Sequence, residues 1–128
     1  MSEPLVNHPD RKFQLWAYTV SLRRLLFRST KDEDSKTRVD VLFQNVQAMN
    51  LPKTTGELVV RLADEADSDA ISTATGVTPA DDVSFYTLHG SMQGGYVVAS
   101  EVAEREDEGE YFEPSELWPG PDGIDRSF

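Results

Sequence analysis

Imidazole is the side chain best suited to proton transfer near neutral pH, and this chain of 128 residues has two, His8 and His89. His8 falls in a segment with Pro4 and Pro9 that reads as an irregular lead-in, where an exposed and idle residue is expected. His89 closes an apolar run just before a glycine-rich turn. As a general base it would need Asp81 or Asp82 carried across the fold to orient it. No H-x-x-x-H or H-E-x-x-H spacing occurs, so a transition-metal site is not expected.

The other near-motifs fail position by position. Gly90-Ser91-Met92-Gln93-Gly94 has glycine and serine adjacent, and a strand pattern follows it, whereas a nucleophile elbow needs Gly-x-Ser-x-Gly entering a helix. No Gly-Lys-Ser/Thr follows these glycines, so they do not make a phosphate loop. An EF-hand loop needs oxygen donors at positions 1, 3 and 5, and glycine at 6. Counting from Asp64, Ala66 stands at the third position and Asp69 at the sixth; counting from Asp32, Lys36 and Thr37 stand at the fifth and sixth. The chain has no cysteine, which removes thiolate metal sites, disulfides and thiol nucleophiles together. Carboxylate pairs of the glycosidase kind carry no signal among 23 acidic residues. The expectation is a protein without catalytic, cofactor or metal-ligating residues, and not an enzyme.

Charge says more. Twelve basic residues face 23 acidic ones, for a net charge of −11. Residues 1–30 are net +3, residues 31–56 neutral, residues 57–100 net −6 and residues 101–128 net −8. Such a field repels nucleic acid and anionic lipid, and favours a basic protein as partner. The acidic end supplies the candidate binding residues Glu101, Glu104, Glu106, Asp107, Glu108 and Glu110, followed by the aromatics Tyr111 and Phe112. The plainer alternative is a solvated tail that maintains solubility. A second candidate is a small-molecule pocket inside a barrel, lined by Trp16, Tyr18, Tyr86 and His89, with Trp16 and Tyr18 on one strand face. A third is an enzyme using His89 with a carboxylate.

The elements that must position these residues are mostly strands. From residue 12 the chain is apolar on both faces, rich in aromatic and β-branched residues, and poor in N-cap signals, which favours two strands at 12–20 and 23–30 over one helix. Arg38-Val39-Asp40-Val41-Leu42-Phe43 alternates with a period of two, the clearest strand signal. Gln44-Asn45 interrupts it, which suggests a bend or bulge before a short strand toward Leu51. Strands are also expected at 58–62 and, as a hairpin, at 83–89 and 96–103. Residues 64–82 form an acidic loop holding at most one short helix around 64–73.

The fold class expected is mainly β: an antiparallel β-sandwich or partly open β-barrel of about seven or eight short strands. One domain spans 1–128, with the lead-in at 1–11, a β core at 12–103 and an acidic Pro/Gly-rich tail at 104–128. Phe13 to Phe27, the longest apolar stretch, is broken by Gln14, Arg23 and Arg24, so no membrane-spanning helix is expected. The first residues lack a basic and then apolar signal pattern, and a cytoplasmic location is the expectation. In size, acidity and strand content the chain resembles small bacterial β-rich proteins, immunity proteins of toxin systems among them. That resemblance implies a non-enzymatic module, immunity- or inhibitor-like, that holds a basic partner.

Overall fold

A computed structural model describes residues 4–19, 23–30, 36–51, 56–78, 80, 82–89 and 94–108. Its elements are β1 (Val6–Thr19), β2 (Arg24–Ser29), β3 (Arg38–Gln44), β4 (Ala48–Asn50), β5 (Gly56–Leu62), α1 (Glu65–Thr75), β6 (Ser84–Thr87), β7 (Tyr96–Ala99) and β8 (Glu101–Asp107). The eight strands form one sheet in the order β4-β7-β6-β5-β1-β2-β3-β8, and every pairing is antiparallel. The expected fold class and strand number are observed. No helix among the described residues is long and apolar enough to cross a membrane.

The two ends of that order are covalent continuations of other strands. Gln44 of β3 lies opposite Glu101 of β8, and Ala48 of β4 opposite Val98 of β7. Two backbone hydrogen bonds stitch the junction: Ser100 N–H donates to the Gln44 carbonyl (2.9 Å) and Gln47 N–H to the Val98 carbonyl (2.7 Å). Thus β3–β4 and β7–β8 are two long bent strands paired along their length. The circuit β1, β2, β3/β4, β8/β7, β6, β5 then returns to β1, as in a barrel. The expected interruption at Gln44-Asn45 is this bend. Asn45 takes φ 55°, a left-handed conformation asparagine tolerates, and its amide donates to Ser100 Oγ at 2.8 Å. Among the described residues the seam between β5 and β6 is short, with Arg61–Thr87 and Leu62–Tyr86 in register, so the wall is partly open there.

Alternation sorts the side chains. Phe13, Leu25, Phe27, Val39, Val41, Phe43, Leu58, Val60, Tyr86 and Val97 meet in one buried cluster drawn from six strands. Phe43 packs edge-on against both Phe27 and Tyr86. The opposite faces are not bare, which is why the strands are apolar on both sides. Ala17, Leu26 and Leu42 form a second cluster with Trp16 against it, on the outer face of β1–β3. Phe85, Tyr96 and Val98 form a third, covered by Ile71 of α1.

α1 forms because its ends are satisfied. Asp64 Oδ1 accepts from Asp67 N–H (2.8 Å), the first turn holds Glu65 and Asp67, and Gly76 ends the helix at φ 77° with its N–H on the Ser72 carbonyl. The helix stands where a short one was expected, two residues longer at its C-terminal end.

Two strands reach further than their sequence suggests. β1 begins at Val6, inside the expected lead-in, and β8 continues the β7 hairpin strand to Asp107, inside the expected acidic tail.

Candidate functional site

One end of the barrel is polar. It gathers the middle of β1, the end of β2, the start of β3 and the end of β8. In β8, Glu104 lies opposite Val41 and Glu106 opposite Val39, two residues of the central core. Residues directly opposite in a ladder project to the same face, so both glutamates lie on the core side of the sheet. In β1, Val6 and His8 lie opposite Val60 and Leu58, again on the core side. The two sets meet across the mouth. His8 Nε2 lies 2.6 Å from Glu104 Oε2; an ionised carboxylate only accepts, so the imidazole donates. The Phe13 ring packs 5.6 Å from the imidazole, centroid to centroid, tilted by 44°.

Next to this pair, the register between β1 and β5 breaks between His8 and Phe13. The bulged segment carries Arg11, which reaches two other strand ends. Its Nε donates to Ser29 Oγ (3.1 Å), Nη2 to the Thr37 carbonyl (2.7 Å) and Nη1 to Thr37 Oγ1 (3.3 Å). The Thr37 hydroxyl in turn donates to Glu106 Oε2 at 2.6 Å. The guanidinium charge is thereby relayed toward Glu106 through one hydroxyl. The mouth can therefore offer two half-solvated carboxylates, on strand positions whose Cα atoms are about 7 Å apart, to a cationic group.

The outer face of the same strands holds a second ionic group, this one buried. Arg28 donates from Nε to Asp40 Oδ1 (2.7 Å) and from Nη2 to Oδ2 (3.2 Å), with both side chains at most 2% exposed. Arg38 makes the matching fork to Asp107, 3.0 Å on each side, and its Nε lies 4.0 Å from Asp40. The Trp16 ring lies over the Arg28 guanidinium at 4.9 Å. Fully paired, this row lets two arginines lie on an apolar outer face beside Leu26 and Leu42.

Compared with family models, curated proteins and solved structures, the chain matches none.

The residues expected from sequence divide between the mouth and the outer row. Glu104 and Glu106 reach the mouth, Asp107 joins the outer row, and Glu101 and Glu108 are exposed. Glu110, Tyr111 and Phe112 lie outside the described residues. The four pocket candidates are not brought together. A shift of register between Leu15 and Ala17 turns Trp16 to the outer cluster, while Tyr18 packs against the central one, so the two do not share a face. Tyr86 is buried in the centre; burial raises its phenol pKa, a hydrogen bond with Ser84 lowers it, and the Glu101 charge raises it. His89 is half-buried, with its Cβ where a Cβ on Gly94 would stand 2.7 Å away, so only glycine fits beside it. Among the described residues His89 takes part in no hydrogen bond or ion pair, and Asp81 lies outside them. No group of three potential metal ligands occurs among the described residues.

The sequence alone reads as an idle His8 and does not single out Arg11, Ser29 or Thr37. The two-residue spacing of Val6 and His8, which matches a strand with one face inward, was the available signal; the flanking prolines obscured it.

Proposed function

We propose that the chain is a non-enzymatic binding module that recognises a basic protein partner through β8 and the barrel mouth beside it. The observation that supports this reading is that Glu104 and Glu106 occupy successive core-side positions of β8 at the barrel mouth, where both side chains stay exposed. A lysine or arginine side chain entering there meets carboxylates already oriented by His8 and Thr37, which lowers the ordering cost of binding. Glu108, exposed just beyond the end of the strand, extends the acidic surface. The net charge of −11 adds long-range attraction for a basic partner and speeds encounter.

The test separates this surface from bulk acidity. Binding of a basic polypeptide such as polyarginine is measured by calorimetry across a salt series, for the full chain and for two double variants. Glu104→Gln/Glu106→Gln should weaken binding about tenfold and flatten the salt dependence. Glu57→Gln/Glu65→Gln, equal in charge change but placed on β5 and α1, should change it little. Equal weakening by both pairs would show that only net charge matters and would sink the proposal.

A further inference from the structure

We infer that β8 is a strap that opens away from β3, hinged at Ser100, while the rest of the barrel stays folded. The inference is independent of the binding reading above, which stands or falls on its own test. Burial is the first support. None of the seven β8 residues is buried, whereas five of six are in β2, six of seven in β3 and all four in β7. The strand is paired to β3 along its whole length, from Gln44–Glu101 to Arg38–Asp107, yet it adds little apolar surface to the core. Val102 packs against the central cluster, but the next two core-side positions are Glu104 and Glu106.

Polar contacts fill the place of packing there, and they are contacts that water can replace. His8–Glu104 and Thr37–Glu106 are both solvent-exposed hydrogen bonds. The far end carries a firmer latch, the two-pronged Arg38–Asp107 pair, in which Arg38 is 2% exposed and Asp107 15%. At the near end the Ser100 N–H remains tied to Gln44, and Ser100 is a bend between two straight strands, so rotation there moves β8 without disturbing β7. Elements with few buried apolar contacts and many solvated hydrogen bonds open well below the global unfolding free energy. Opening would uncover the backbone edge of β3 and the core surface beneath Val102.

Native-state hydrogen exchange on the full chain, followed residue by residue in low urea, reads this directly. Amides of residues 101–107 should exchange at least ~100-fold faster than those of residues 25–28, with almost no urea dependence. Glu104→Ala should speed exchange in β8 several-fold further and leave β2 unchanged. Equal rates and equal urea dependence in β8 and β2 would mean that β8 opens only by global unfolding, and the strap would be disproved. So would an E104A variant that speeds both strands alike.

Discussion

His8 and Glu104, 96 positions apart in the chain, share a 2.6 Å hydrogen bond across the mouth of the barrel, which joins β1 to β8. Neither side chain is deeply buried, at 22% and 42% exposure, so the bond orients more than it stabilises. A double-mutant cycle with His8→Ala and Glu104→Ala, read by urea denaturation, should give a coupling energy of about 0.5 kcal/mol. A coupling above about 2 kcal/mol would contradict the solvent-screened character of the pair.

The Arg28–Asp40 pair should behave in the opposite way. Removing the carboxylate leaves Arg28 buried against Trp16 without its forked acceptor. Asp40→Ala should therefore cost about 3–5 kcal/mol of stability. Replacing both residues with apolar side chains of similar volume should cost much less, because no uncompensated charge then remains. If the single and double variants unfold at the same urea concentration, the row owes its burial to something other than charge pairing.

Tyr86 predicts an alkaline limit. Its phenol pKa lies above the model-compound value of 10.0, chiefly through burial. Below the unfolded-state pKa both states keep the proton and the full stabilisation is present. As pH rises past that value the unfolded chain ionises first, and stability is lost until pH passes the folded pKa. Stability should thus fall above about pH 10, and Tyr86→Phe should flatten that fall while costing some stability at neutral pH. A Y86F stability profile parallel to wild type between pH 9 and 11 would disprove the assignment.

The ends of α1 can be tested separately. Asp64→Ala removes the acceptor for Asp67 N–H and should cost about 1 kcal/mol. Gly76→Ala places a side chain at φ 77°, and although open space surrounds that position, the left-handed backbone should cost about 1 kcal/mol. Chemical denaturation of both variants gives the comparison; an unchanged midpoint for Gly76→Ala would mean that the helix end relaxes.

Local chemistry decided much of this protein. The alternation of Val39, Val41 and Phe43 against Arg38, Asp40 and Leu42 assigned a strand and its inward face, because successive side chains in a strand point to opposite sides. The double-sided apolar run from Phe13 to Phe27 called for strands covered on both faces, and the stretch from Asp64 to about residue 73 allowed one short helix, which in the structure runs on to Thr75. Acidity and the lack of any catalytic motif were equally plain in the residues.

What the tertiary structure alone decided was the company each residue keeps. Glu104 and Glu106 have the composition of a tail, and only their pairing with Val41 and Val39 makes them strand residues on the core side. Trp16 and Tyr18 part company because one shift of register in β1 reverses a face, and His8 finds Glu104 only because β1 and β8 flank the same mouth. Strand pattern is written over a few neighbours in sequence. Register and closure are chosen by contacts between segments far apart in the chain, and the polar groups that meet at the barrel mouth are set by that choice.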